Sequence, residues 1–309
     1  MDVRAQVAAA RSGVLALPEL DRATLVVSGS DGVSWLNGLV TCDLVKRAEA
    51  GAAAYGLFVA RSGRIIADAL IAVDGERVLV SVPLAALDPL RAHLDHYLVM
   101  EDAEVAPKTD ALSAMSIHGP GSGDVLVAAR AAGAAGGYLD RTGLGGAVVF
   151  LPEQRAADVR ATILAAAHDR GGMTGDPAGW QALRLERAVP QFGSDFGDTT
   201  YPQEANLEKI AVSFDKGCYL GQEVVCMLEM RGHVKRRLVA VVLDGARPPS
   251  RGAVVSDEAG AVAGEVTSAA DSPTLGHPLA LAMLKRAYTE PGRPVVIAGV
   301  HGHVVERPS

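Results

Sequence analysis

Six short β-rich runs, at 238–243, 253–256, 261–268, 280–284, 294–298 and 303–306, follow one another at the end of the chain, separated by Gly, Pro, Asp and Ser. Strands this short protect their backbone edges only by pairing with one another, so the pattern predicts a small β-barrel or sandwich. It begins near residues 230–234, which sets a boundary and leaves 231–309 as a C-terminal unit.

Upstream the pattern is mixed. A β-rich run at 23–27 stops at Ser28-Gly29-Ser30-Asp31-Gly32, which offers caps for a helix through Trp35, Leu36, Leu39 and Val40. Runs at 53–59 and 64–73 flank Arg61-Ser62-Gly63, a hairpin signal. Asp74-Gly75 turns the chain into a third run at 77–82, and Leu84, Leu87, Leu90, Leu94 and Leu98 then recur at helical spacing. The order β-α-β-β-β-α predicts an α+β unit over 1–110, with residues 1–20 as a lead-in. A second α+β unit is predicted over 111–230. It comprises a strand at 112–117, a helix at 123–132 opened by His118-Gly119-Pro120, a Gly-rich loop at 133–146, a strand at 147–151 and helices at 154–168 and 177–187. Pro190 ends the last helix, a polar loop covers 191–200, and Tyr201-Pro202 opens another helix. Gly143-Leu144-Gly145-Gly146 leads into a strand instead of out of one, so no dinucleotide fingerprint is present.

A chain of 309 residues predicts two or three domains. A net charge of −7 and a sequence pI near 5.6 argue against a general attraction to nucleic acid or anionic membrane. Only 4% of residues are aromatic, which argues against a base-stacking surface. Three scattered cysteines, Cys42, Cys218 and Cys226, form no disulfide framework and no zinc-ligand spacing, so a reducing compartment and no structural metal are expected. Asp2, Arg4 and Arg11 interrupt any leader-like apolar run, and no stretch of about 18 apolar residues exists. The expectation is a soluble, cytoplasmic protein with no membrane and no direct nucleic-acid partner.

The residues that carry chemistry centre on 215–225, DKGCYLGQEVV. Lys216 stands two residues before Cys218, and a nearby ammonium favours thiolate over thiol. Gly217 and Gly221 let backbone approach a ligand closely. Asp68 lies in the middle of an apolar strand, a costly position without a partner. It is either satisfied by neighbouring backbone or aimed at a ligand. Glu186 pairs with a nearby arginine on a solvated face unless it has a ligand. Arg231, His233, Lys235 and Arg237 share one face of an extended segment, either to hold carboxylates or phosphates or to protect a sheet edge. Cys42 reads as a small buried hydrophobe.

Several of these stretches resemble one family. Leu183-Arg184-Leu185-Glu186, with Val189-Pro190 and Phe192-Gly193, resembles the RLE-x-G-x-P-x-x-G segment of aminomethyltransferase-type folate proteins, and Thr200-Tyr201-Pro202-Gln203-Glu204-Ala205-Asn206-Leu207 continues it. Lys216-Gly217-Cys218-Tyr219-Leu220-Gly221-Gln222-Glu223 resembles the KGCYxGQE signature of the YgfZ branch, whose eukaryotic relatives serve mitochondrial iron–sulfur assembly. Gly264-Glu265-Val266-Thr267-Ser268 with Ser272-Pro273 is similar to the family's C-terminal barrel; Trp35-Leu36-Asn37-Gly38-Leu39-Val40-Thr41 and Gly63-Arg64 agree more loosely. The resemblance implies a GcvT/YgfZ-like cloverleaf of α+β subdomains around a central pocket, plus a small C-terminal β-barrel, with tetrahydrofolate or a one-carbon derivative in the pocket. Asp68 then matches the carboxylate near the folate nitrogen, and Glu186 the one that bonds the pterin ring. Arg184, Tyr201, Lys216, Gly217, Tyr219, Gln222, Glu223 and Arg231 complete the implied folate site, with Cys218 and Asp68 as the reactive side chains. The implied function is a folate-binding accessory protein for iron–sulfur assembly or repair, acting indirectly on tRNA modification, with folate and iron–sulfur client or assembly proteins as partners. The alternatives are a folate-dependent aminomethyltransferase or related one-carbon transferase, and a non-catalytic scaffold with a vestigial pocket.

Overall fold

Two five-stranded sheets stand face to face ahead of a closed barrel, in a computed structural model that describes residues 1–108, 113–230, 232 and 234–308. The first sheet runs in the order Ala54–Val59, Ile65–Asp74, Arg77–Pro83, Arg22–Ser28, Glu104–Lys108, and its neighbours are antiparallel. The expected hairpin is present, and Gly63 turns it at φ +76°, a conformation that disfavours residues with a Cβ. Alternation along Ile65–Asp74 then sorts the side chains. Ala67, Ala69 and Ile71 pack outward with Trp35 and Leu36 of helix Gly32–Asn37 and Leu90 and Leu94 of helix Leu87–Tyr97. Leu70 and Ala72 pack inward against Val148 and Phe150 of the second sheet. Each fully buried leucine, isoleucine, valine or phenylalanine among them contributes about 1.5–3 kcal/mol.

The second sheet runs Met173–Thr174, Leu15–Pro18, Ala114–His118, Gly146–Phe150, Ala135–Tyr138. Helices Ser122–Ala131 and Ala156–Asp169 cover its outer face through Val125, Val159 and Ile163. Two expectations change here. The lead-in over residues 1–20 is a helix, Val3–Ser12, and a strand that pairs antiparallel with Ala114–His118 and parallel with Met173–Thr174. A four-residue LALP run gives no alternation from which to read a strand. The Gly-rich loop at 133–146 contains an edge strand, where a Cβ on Gly136 would lie 2.3 Å from the Val148 carbonyl oxygen. The start of the strand expected at 112–117 and the 110/111 boundary fall on residues outside the described set. We propose to keep 1–110, 111–230 and 231–309 as chain segments, with strand pairing carrying residues 15–18 into the second sheet.

The six terminal runs form the closed barrel, in the order Arg236–Leu243, Pro278–Lys285, Val262–Asp271, Val254–Ser256, Pro294–Ile297, Val300–Val305. Val241, Val255, Val266, Leu284, Val295 and Val304 are among the residues of its core. Leu238, Leu279, Leu281 and Met283 form a second apolar cluster with Leu185 of helix Pro177–Glu186. Its Ala182 and Leu183 pack with Leu15 and Leu17, so that helix joins the barrel to the second sheet, and what its polar residues reach decides much of the site.

Candidate functional site

Asp68 is 3% exposed. An ionised carboxylate so placed needs donors. Arg22 Nη1 donates to Oδ1 at 3.1 Å and the Tyr55 hydroxyl donates to Oδ2 at 2.9 Å. Arg22 is itself fixed, since its Nε donates to Ser81 Oγ at 3.2 Å and its Nη2 to the carbonyls of Asp68 at 3.1 Å and Ser81 at 2.7 Å. Burial, and then the neighbouring carboxylate, push the Tyr55 phenol well above its ordinary range, so it stays a donor. A carboxylate offers about four lone-pair sites, and one donor on each oxygen leaves acceptor capacity for a ligand.

A cavity of about 330 Å³ opens on Asp68, bounded also by Arg22, Arg141, Trp180, Gln191 and Phe192. Small-ligand sites span about 300–1,000 Å³. The Trp180 ring stacks on His118, with centroids 4.9 Å apart and planes inclined by 15°. Burial, and then the charge of Arg141, lower the His118 pKa to about 3, so Trp180 rests on a neutral ring. Arg141 lies 5.2 Å from the centroid of Tyr55 and 5.4 Å from that of Trp180. The loop that carries it is closed by Asp140, whose carboxylate accepts from the backbone N–H groups of Thr142, Gly143 and Gly145 at 2.9, 2.7 and 2.9 Å. Gln191 Oε1 is buried with no hydrogen-bond partner among the described residues. Such an acceptor costs about 1–3 kcal/mol.

The other expected site residues are placed elsewhere. Arg184, 1% exposed, donates to Asp195 Oδ2 at 2.8 Å, Ser268 Oγ at 2.7 Å, Gln181 Oε1 at 2.8 Å and the Val189 carbonyl at 3.3 Å. Asp195 also accepts from Thr267 Oγ1 at 2.6 Å, so this arginine pins its helix to the 191–200 loop and the barrel. Glu186 is fully buried and turned to the barrel, accepting from Ser272 Oγ at 2.6 Å, Thr274 N at 3.0 Å, Thr274 Oγ1 at 2.8 Å and Arg11 Nη2 at 2.9 Å. Burial raises its pKa, but the hydrogen bonds from Ser272, Arg11 and Thr274 outweigh that and hold the carboxyl below the usual range. Neither Arg184 nor Glu186 lines the Asp68 cavity, and Glu186 is not the solvated pair of the plain sequence reading.

The KGCYLGQE loop packs on the first sheet instead of facing this cavity. Lys216 Nζ donates to the carbonyls of Asn37, Val40 and Cys42 and to Asn37 Oδ1, so it closes the end of helix Gly32–Asn37. Burial lowers its pKa to about 8, with neighbouring Cys42 and Asp43 acting the other way. The ammonium is thus committed to oxygens of the 37–42 segment. Cys218 and Gly217 are exposed, Tyr219 is buried beside Lys216, and Gln222 and Glu223 open helix Gln222–Met230. Gly221, at φ +79°, lets the loop press onto the hairpin, where a Cβ would lie 2.5 Å from the Ala60 carbonyl oxygen. Tyr201 caps the short helix Pro202–Ala205 and lies under the Arg64 guanidinium, 4.8 Å from its ring centroid. None of these residues borders the Asp68 cavity. Arg231 and His233 lie outside the described residues. The strand of the basic stripe begins only at Arg236, and Arg237 pairs with Glu208 and Asn206. Cys42 is buried, which pushes its thiol up to about 12.

Arg22, Arg141, Trp180 and Gln191, which border this cavity, and Tyr55, which bonds Asp68, were not singled out in the sequence. Tyr55 alone had a usable signal. It precedes by two residues Leu57, the cross-strand partner of Asp68 in the hairpin, and so falls on the same face. Among the described residues no group of three or more His, Cys, Asp or Glu side chains could hold a metal, and no helix is long and apolar enough to cross a membrane.

Facing α+β sheets joined to a closed six-stranded barrel, with a buried carboxylate at the wall of a cavity, define the architecture. Residues 2–135 match the GCVT N-terminal domain and residues 236–308 the glycine cleavage T-protein C-terminal barrel domain. The aminomethyltransferase of Saccharopolyspora erythraea is 31% identical, over 78% of this chain and 71% of that protein. That of Thermotoga neapolitana is 29% identical, over 92% and 83%. The glycine cleavage system aminomethyltransferase T from Bartonella henselae has the same fold, with a TM-score of 0.83, 20% identity and coverage of 99% of this chain and 89% of that one. The chain belongs to the glycine cleavage T-protein, or GcvT-like aminomethyltransferase, family. These relatives carry the aminomethyltransferase name, so they support the broad family expected from the sequence and not the YgfZ branch in particular. The KGCYLGQE loop lies between the two matched segments.

Proposed function

We propose that the Asp68 cavity binds a tetrahydrofolate and that the protein is a one-carbon transferase of the aminomethyl type. The observation that carries this is a buried carboxylate, oriented by Arg22 and Tyr55 and with acceptor capacity to spare, at a cavity of small-ligand size. A reduced pterin suits that combination, since its N–H donors match the free acceptor capacity of Asp68. When bound, tetrahydrofolate supplies the nitrogen that carries the one-carbon unit. The chain's own part is to fix the ring, keep water from it and hold a negative charge at Asp68. The aminomethyltransferase names of relatives matched over most of the chain support this reading. Calorimetric titration with tetrahydrofolate should show saturable one-to-one binding, and an aminomethyl donor should yield methylenetetrahydrofolate. Binding without turnover would remove the transferase activity, and no binding would remove the folate site as well, leaving the vestigial scaffold.

A second reading, an accessory role in iron–sulfur assembly or repair as in the YgfZ branch, is favoured by the exposed Cys218 in KGCYLGQE. One thiol cannot hold a cluster without ligands from elsewhere, so a client protein would supply the rest. Three free cysteines suit a reducing compartment such as the cytoplasm. For this role Cys218→Ala should abolish rescue of iron–sulfur enzyme activity in a deletion strain while leaving folate affinity unchanged. Full rescue by that variant would eliminate the thiol from the function.

A further inference from the structure

Arg141 stands at the junction of two cavities. It borders the Asp68 cavity and a second one of about 820 Å³, whose wall includes Arg187, Lys209, Arg237 and Arg307. Other arginines at or near the site have committed donors: Arg22 to Asp68 and Ser81, Arg184 to Asp195, Arg237 to Glu208. Arg141 has contacts of a different kind. Among the described residues its guanidinium has no carboxylate or carbonyl acceptor; it is held by the rings of Tyr55 and Trp180. The adjacent Asp140 is occupied by its own loop. Ring contacts of this kind stabilise a cation through its flat face and leave the N–H edge unused. The donors of this planar fork, five in all, are thus not committed to an acceptor among the described residues, on a side chain that borders both cavities.

The remaining polar groups of the Asp68 cavity complement that edge. Asp68, Glu19, Asp21 and Asp176 supply acceptors, and the donors of Arg22 are already engaged. A ligand matching the cavity therefore brings N–H groups to Asp68 and an oxygen to Arg141. We propose that Arg141 is the residue that grips this ligand oxygen, an inference that rests on the folate reading above. In a tetrahydrofolate the oxygen is either the ring carbonyl or a carboxylate of the tail reaching the second cavity.

The test compares tetrahydrofolate with 6-methyltetrahydropterin, which keeps the ring carbonyl and lacks the tail, on the full chain and its Arg141→Met and Arg141→Lys variants. Affinity is read by calorimetry and folding by thermal melting. Arg141→Met is expected to weaken tetrahydrofolate binding tenfold or more. Arg141→Lys, which keeps a cation between the rings but loses the planar fork, should weaken it about fivefold. Parallel loss for both ligands identifies the ring carbonyl as the acceptor; loss for tetrahydrofolate alone identifies the tail carboxylate. A folded variant of either kind that binds tetrahydrofolate as tightly as the unaltered chain overturns the proposal. Failure of the unaltered chain to bind is a different result, which overturns the folate reading and this role of Arg141 with it.

Discussion

Arg184→Met is expected to lower the stability of this protein by about 3–5 kcal/mol, the usual cost of removing one partner from a buried ion pair. Both Arg184 and Asp195 are shielded from solvent, with side-chain exposures of 1% and 0%. Methionine fills much of the volume but donates nothing, so Asp195 keeps its charge with the Thr267 hydroxyl and the Gln191 N–H as its remaining donors. Ser268 Oγ and the Val189 carbonyl lose a donor at the same time. The damage falls on the joint between helix Pro177–Glu186, the 191–200 loop and the barrel. Chemical denaturation would show it as an earlier midpoint. Measured per folded molecule, affinity for tetrahydrofolate should stay within about twofold, because Arg184 does not border the Asp68 cavity. A stable variant with greatly weakened binding would instead restore Arg184 to the ligand site, where its motif had placed it.

That contrast shows what was legible in the sequence. The barrel was readable because each terminal run carries its own turn residues, and six such runs close on one another. Asp68 was readable because a carboxylate in the apolar run RIIADALIAV needs a reason to be there. Arg184, Glu186 and Lys216 were readable as unusual, but not in their direction. A charged residue in a motif looks the same whether it meets a ligand or a carbonyl across an internal joint, and these three meet Asp195, the 272–274 loop and the end of helix Gly32–Asn37. Strand Leu15–Pro18 was hidden because its identity comes from partners about 100 and 160 residues away in sequence. The stack of Tyr55, Arg141, Trp180 and His118 was hidden for a related reason. Its members come from both sheets, a loop and a helix, and no local pattern brings them together.

Asp68→Asn is the substitution expected to affect the proposed function most directly. The amide has nearly the shape of the carboxylate, and its oxygen still accepts from Arg22 or Tyr55. Arg22 keeps both Ser81 contacts and the Asp68 carbonyl, so the fold should survive. Asp68→Ala would be a poorer test, because it removes both side-chain acceptors and leaves the buried Arg22 charge without its partner, at about 3–5 kcal/mol. What the amide cannot supply is a negative charge with acceptor capacity on both oxygens. Hydrogen bonds to a charged group contribute about 1.5–3 kcal/mol, so loss of one to a pterin N–H should weaken tetrahydrofolate binding about ten- to a hundredfold. Turnover with an aminomethyl donor should fall further than affinity if the charge also acts on the reacting nitrogen, and kcat measured at saturating folate separates the two effects. Unchanged affinity in a folded Asp68→Asn variant would make Asp68 a structural anchor for Arg22 and Tyr55, and the folate site would have to be sought away from this cavity.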